Sequence, residues 1–355
     1  MYMKKHRSIR LGLLAAALLF LFALLGWTLY LRWEQPPAWT EENPAEQEPG
    51  SEIVRPPAEE RIPAENTHTG RKRGVYTLLL AGRDDSSGCT DTLLLGRLDT
   101  RQHRLDLVSV PRDTLVNLDW KVRKLNAVYA GTANSGGTAI EGLREEMRKL
   151  CGFSPDCYAV VDLDVFVEAV DLIGGIDYEL MQDMHYDDEA QNLHIHLDAG
   201  PRHLSGEEAM GLVRYRAGYL NGDLDRVAVQ QSFMEAALGE LLSLGSVPRL
   251  PELVTLLSSH MDTDLSAANI AWLARQALQC RREDLHFTTM PNTPVTVAGL
   301  SYTLAEPEAW LAMINDSLNP YTVPIRLENL DLVYRDDTGY HATSGYLRGA
   351  GYYYN

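Results

Sequence analysis

The longest apolar run in the chain is LGLLAAALLFLFALLGWTLYL, 21 uncharged residues from 11 to 31. About 20 apolar residues of helix cross a bilayer, so this run predicts a transmembrane helix. A cleavable signal peptide has a shorter apolar core of about 7 to 15 residues with a small-x-small site behind it. WTLYLRWEQ follows here instead, which favours an uncleaved anchor. Further along, the pattern changes. VYTLLLAG (75–82) is short and apolar and runs into the turn-rich RDDSSG, the signature of a buried strand ending in a loop. TDTLLLGRL and HRLDLVSV follow, separated by the turn 99–102, and strands joined so closely must be antiparallel. Next come a helix near 137–150, a strand YAVVDL (158–163), a helix VFVEAVDLI that stops at Gly174 and Gly175, and a strand IDYEL. This alternation predicts an α/β domain, a mixed central sheet with helices on both faces. Apolar stripes predict further helices around 226–244, 249–260 and 266–279.

Charge divides the chain further. Lys4, Lys5, Arg7 and Arg10 precede the apolar run and an acidic stretch follows Arg32, so the charge bias keeps residues 1–10 in the cytoplasm and places the rest outside. Trp33 to Gly70 holds seven prolines and nine glutamates against two arginines, which predicts a stiff, disordered stalk over 32–72. Residues 33–70 thus supply seven of the seventeen net negative charges. Residues 73–320 are long enough for one sizeable domain, and 321–355 form a Tyr- and Gly-rich tail for which sugar stacking and disorder are both open. With no excess of Lys and Arg to neutralise phosphates, nucleic-acid binding by bulk charge is excluded. The four cysteines are too few for a disulfide scaffold; Cys151 and Cys157 can be a pair or two buried thiols.

Candidate chemistry collects where the elements end. Asp84 and Asp85 follow the first strand and Asp91 opens the second. Singly, aspartates at such places form turns; together at the mouth of adjacent strands they suit a hard cation such as Mg2+, which takes carboxylate oxygens and keeps sites for water or phosphate. Arg112 and Asp113 stand at the end of the third strand, where a surface salt bridge is the plain alternative. In SGEEAMGLVRYRAGYLNGDLDRVAVQQ (205–231), Ser205 and Glu208 have capping-box spacing, and after Gly211 the chain reads as extended, which would point Arg214 and Arg216 to one side. Asp223 can cap a second helix with Arg226 in its first turn, against the helix dipole. Three arginines placed against local electrostatics fit either a bound phosphate or ordinary ion pairs. His194 and His196, with His185 and His203 nearby, suggest a metal pair, but no third ligand is fixed by spacing and surface or packing histidines are the reading; zinc is not expected.

GRDD (82–85), TDT (90–92), SVPRDT (109–114), KLN (124–126), DLIGGID (171–177), VRYR (213–216) and GDLDRVAVQQ (222–231) occur in the order and approximate spacing of the LytR-CpsA-Psr family, which the chain resembles over about residues 75–245. The resemblance implies an external phosphotransferase of Gram-positive envelopes that moves a glycopolymer, such as wall teichoic acid or capsule, from an undecaprenyl-pyrophosphate carrier to peptidoglycan. It maps Asp84 and Asp91 to the Mg2+ ligands. Arg112, Arg214, Arg216 and Arg226 map to the arginines around the pyrophosphate, and Gln230 to the position facing the head group. Lys124 and Asn126 match a family motif and are assigned to a supporting shell. Cys89 stands where many relatives carry an arginine. Two other functions are open: a polyprenyl-pyrophosphate hydrolase, with water replacing the sugar at the same site, and, of a different class, a non-catalytic envelope regulator or polymer-binding protein. The absence of a basic recognition helix argues against direct control of transcription.

Overall fold

The computed structural model describes residues 36–37, 70–83, 88–189, 193–215 and 249–353, with scattered positions between 229 and 240. The anchor segment 11–31, nearly all of the stalk, Asp84, Asp85, Arg216, Asp223, Arg226 and Gln230 lie outside the described residues, as does most of the helix expected near 226–244. Among the described residues no helix is long and apolar enough to cross a membrane.

The centre is a six-stranded mixed sheet. β1 (Val75–Arg83), β2 (Thr90–Asp99) and β3 (Arg104–Ser109) form an antiparallel meander, as the short connection between the last two demands. Helices α1 (Asn126–Asn134) and α2 (Ala139–Cys151) then lead to β4 (Cys157–Asp162), which joins β1 in parallel. Consecutive side chains on a strand face opposite ways, and a strand covered on both faces is apolar throughout. Leu79, Ala81, Leu93, Leu95 and Val108 thus point to one face, under Leu143, Met147 and Leu150 of α2 and the buried Trp310. Leu78, Leu98, Leu105 and Leu107 point to the other face. Trp310 is fully buried, and its indole N–H donates to the Leu150 carbonyl at 2.8 Å, so burying it strands no polar group.

α3 (Leu163–Ile173) ends where expected. Gly174 adopts φ +100°, a left-handed conformation that glycine takes without the Cβ clash, and the Gly175 N–H closes onto the Val170 carbonyl at 2.9 Å. β5 (Ile176–Leu180) then leaves the central sheet, contrary to a simple alternation. It pairs antiparallel with β8 (Gly200–Leu204), beside a second hairpin of β6 (Met184–Asp188) and β7 (Leu193–Leu197). With α3, these small sheets build a second core around Ile176, Leu180, Ile195, Leu204, Leu212 and Phe233.

α4 (Gly206–Arg214) starts with the expected capping box: Ser205 and Glu208 exchange side-chain and backbone hydrogen bonds. It does not stop at Gly211. A single glycine costs a helix about 1 kcal/mol, and continuing it buries Leu212 completely; the ladder closes with Tyr215 N–H on the Gly211 carbonyl at 2.9 Å. Arg214 is therefore helical, and the extended conformation expected for it is corrected.

α5 (Leu250–His260), the short strand β9 (Met261–Thr263) and α6 (Ala267–Ala277) follow. β9 flanks β4, and Leu273 of α6 covers the second face of the sheet. β10 (Leu285–Thr289) lies parallel to β3 and completes the order β10-β3-β2-β1-β4-β9. Both ends of the described body are fastened. Arg71 bridges Tyr321, the Lys72 N–H donates to the Pro320 carbonyl, and the tail forms an antiparallel pair, β11 (Val333–Asp336) with β12 (Gly339–Ala342), over Leu115 and Tyr302. Arg123 caps this packing, its guanidinium 4.9 Å and 4.8 Å above the Tyr352 and Tyr353 rings. Cys151 and Cys157 are buried thiols not joined in a disulfide, and burial pushes the Cys157 thiol up.

Candidate active site

β3 runs in the direction of β1 because both are antiparallel to β2, and β4 is parallel to β1. The C-terminal ends of β1, β3 and β4 and the start of β2 thus share one edge of the sheet. Ligands of open α/β sheets bind at such an edge, outside the carboxyl ends of the strands. Asp91, the second residue of β2, meets Arg112, three residues beyond β3, with Nη1 to Oδ1 at 3.0 Å. The pair is open: the side chains are 38% and 24% exposed, respectively.

The loop after β3 holds Arg112 in place. The Thr114 N–H and hydroxyl both donate to the Pro111 carbonyl, at 3.0 and 2.6 Å. The N–H of Asn126, at the start of α1, donates to the Arg112 carbonyl at 3.0 Å, and the Thr303 N–H to the Asp113 carbonyl at 2.9 Å. Lys124 pairs with Asp113 at 2.9 Å. Asp113 therefore neutralises Lys124 and not its neighbour Arg112, so the Arg112–Asp113 salt bridge, the plain alternative at the end of β3, is not the pair that forms. Lys124 and Asn126 stand behind Arg112 and shape its loop.

A second charged pair lies on the same edge and had no local sequence signal. Arg83 ends β1, in register with Asp162 at the end of β4, and grips it with Nε to Oδ1 at 2.8 Å and Nη2 to Oδ2 at 2.9 Å. Their separation of 79 residues hides the pairing. Next to it, the Tyr129 and Tyr158 hydroxyls donate to the two oxygens of Asp262, at 3.0 and 3.3 Å. Burial, reinforced by Asp262, pushes both phenols up, that of Tyr158 to about 12, so both are protonated donors at neutral pH. The edge thus offers two guanidinium groups, each on a carboxylate that a more highly charged anion can displace, and one carboxylate already saturated by phenols.

Arg214 lies in the last turn of α4, where Leu212 and Tyr215 anchor that helix end in the second core. Of the residues singled out in the sequence, the structure brings Asp91, Arg112, Lys124 and Asn126 into one neighbourhood. The histidines lie on exposed strands: His194 and His196 both approach Asp187, at 2.8 and 3.1 Å. A fit to Mg2+ can be tested at Asp91. The ion is held by one or two carboxylates together with phosphate oxygens and water, and a carboxylate 38% exposed beside a guanidinium meets that requirement.

Sequence comparison matches residues 45–317 to the LytR_cpsA_psr family. The regulatory protein MsrR of Staphylococcus aureus is 28% identical over 203 residues, 56% of this chain and 58% of MsrR. A polyisoprenyl-teichoic acid–peptidoglycan teichoic acid transferase, TagU of Oceanobacillus iheyensis, is 25% identical over 244 residues, 67% of this chain and 73% of its own. In fold, the chain is similar to the crystal structure of Bacillus subtilis TagV, with a TM-score of 0.56 and 21% identity over 68% of this chain and 95% of TagV. The motifs, the mixed sheet and a family match over most of its length agree: the chain belongs to the LytR-CpsA-Psr family.

Proposed function

We propose that the chain is a membrane-anchored phosphotransferase, with residues 11–31 as the anchor and the folded domain outside the cell. It moves an anionic glycopolymer, of the wall teichoic acid or capsule kind, from an undecaprenyl-pyrophosphate carrier to peptidoglycan. The observation that carries this reading is the open Asp91–Arg112 pair at the carboxyl edge of the sheet. A guanidinium suits a pyrophosphate oxygen better than a carboxylate it must share with solvent, because a phosphate presents more charge to its planar fork. The names of relatives such as TagU support the reaction class.

In the transfer, a peptidoglycan sugar hydroxyl attacks the phosphorus that bears the glycan. A new phosphodiester bond forms, the pyrophosphate bridge breaks, and undecaprenyl phosphate leaves as the hydroxyl proton is lost. Arg112, Arg214, Arg216 and Arg226 bind the pyrophosphate and neutralise the charge that grows on the leaving phosphate. The family resemblance assigns Gln230 to the head group, while Lys124 and Asn126 hold the Arg112 loop. Mg2+ held by Asp84 and Asp91 would supply further charge neutralisation to the phosphates.

Affinity for a pyrophosphate lipid, measured for wild type and Asp91→Asn with Mg2+ and with chelator, tests the site. The expected result is a loss for the variant in Mg2+ and a much smaller one in chelator, since metal and lipid must strengthen each other reciprocally. Equal losses in both conditions would remove the metal from Asp91. Product analysis with and without peptidoglycan checks the reaction: transfer requires the acceptor, whereas release of polymer in its absence would make the protein a hydrolase.

A further inference from the structure

The hairpin of β6 and β7 has one apolar face and one of unusual composition. Met184, Ile195 and Leu197 are buried in the second core. The alternate residues face solvent, and every one is a metal-ligand type: His185 and Asp187 on β6, His194 and His196 on β7, flanked by Asp183 and Asp198. A solvent-facing strand ordinarily mixes Thr, Lys, Glu and Ser. His185 lies directly opposite His196, their ring centroids 5.8 Å apart, and Asp187 directly opposite His194. Asp183, His185 and Asp198 each bring a ligand atom within 4.8 Å of the other two, and no other such group of three occurs among the described residues.

We propose that Asp183, His185 and Asp198 form a binding site for a borderline divalent cation such as Zn2+. Imidazole nitrogen combined with carboxylate oxygen suits zinc, whereas Mg2+ and Ca2+ take oxygen ligands. The supporting contacts fit. Asp183 Oδ1 accepts the Ala199 N–H at 2.7 Å and is held in place by it. Asp198 lies 3.5 Å from His185 Nε2 through Oδ1, while Oδ2 is 3.8 Å from Arg202.

The site has a mechanical consequence. Asp183 precedes β6 and Asp198 follows β7, so one ion ties together the two points where the hairpin leaves and re-enters the body. Two-stranded hairpins are marginal by themselves. Ile195 packs against Gly211 of α4, the helix that ends at Arg214, so fixing the hairpin also fixes that helix.

Calorimetric titration of Zn2+ alone into the metal-free full-length protein in detergent, with excess Mg2+ present to fill oxygen-only sites, tests this. One Zn2+ per chain is expected, together with a rise in wild-type Tm on loading. His185→Ala and Asp198→Asn should each weaken binding at least tenfold and abolish the Tm rise, while His194→Ala keeps wild-type affinity. Circular dichroism of the metal-free variants establishes that each is folded, and His185→Gln replaces any that is not. Absence of stoichiometric binding, or unchanged affinity in His185→Ala and Asp198→Asn, would overturn the proposal.

Discussion

The two ends of the central sheet carry the same kinds of residue in opposite states. At the end where β1 and β4 begin, Asp156 is completely buried, pairs with Arg71, and accepts the Thr77 N–H at 2.7 Å and hydroxyl at 2.8 Å. Nearby, where β2 ends and β3 begins, Arg97 is 3.5 Å from both Asp99 and Asp106, and Arg104 forks onto Asp106 at 2.7 to 2.9 Å. Burial alone pushes the Asp106 carboxyl up, and two guanidinium groups oppose that shift. At the opposite end, Asp91–Arg112 and Arg83–Asp162 are open to water. Closed networks fix strand ends, because an incoming anion would have to break a buried pair. Open pairs hold a guanidinium in place at low cost and can be exchanged for substrate.

Three substitutions probe that contrast, and the largest effect belongs at the closed end. Asp156→Ala strands the guanidinium of Arg71 and removes the acceptor of the Thr77 N–H, so unfolding should become easier by about 3–5 kcal/mol, as for other broken buried pairs. Urea denaturation measures it. A loss under about 1 kcal/mol would mean that the closed end is no more structural than the open one.

Arg112→Ala should behave in the opposite way. Transfer is expected to fall by about 100- to 1000-fold, the scale of removing one donor from developing transition-state charge. Stability should change by less than about 1 kcal/mol, since the pair is partly exposed and screened. Transfer rate and Tm read on the same preparation decide it, and an unfolded variant would move Arg112 to the structural class. Arg83→Ala, about a third exposed, should cost less than about 1 kcal/mol as well; reduced affinity for a pyrophosphate lipid would add Arg83 to the substrate-facing groups.

The same contrast explains what could be read from the sequence. The meander, the Gly174 stop and the Ser205–Glu208 capping box depend on residues within a few positions of each other, and the structure has all three. Asp91 and Arg112 stood out because loop ends concentrate charge and because the motifs around them resemble a family. Arg83 and Asp162 did not, since their meeting depends on the register of two strands 79 residues apart, which no local pattern encodes. Strand patterns carry no partner, so alternation alone places β5 in the central sheet; its partner β8 lies beyond an entire hairpin. Gly211 resembles a helix stop and so makes Arg214 look extended, whereas burial of Leu212 carries the helix through.

A carboxylate away from both ends isolates the effect of burial, and its expected signal is the smallest. Glu146 of α2 is buried with Lys149 Nζ at 2.6 Å, and burial, partly opposed by Lys149, raises its pKa above the ordinary 4.5. The folded state then holds the Glu146 proton more tightly than the unfolded state does. Its contribution to stability is complete below about pH 4.5 and declines as pH rises through the folded value. A glutamine mimics the protonated acid at every pH. Glu146→Gln should therefore match wild type near pH 4 and exceed it at pH 8, by less than about 1 kcal/mol, because Lys149 loses one partner and keeps Glu145 at 3.7 Å. Thermal melts of both proteins at the two pH values measure the difference. If the variant is instead less stable at pH 8 than at pH 4 relative to wild type, the Lys149 pair outweighs burial, and pairing alone, without the closure seen around Asp156, is enough to hold a buried carboxylate charged.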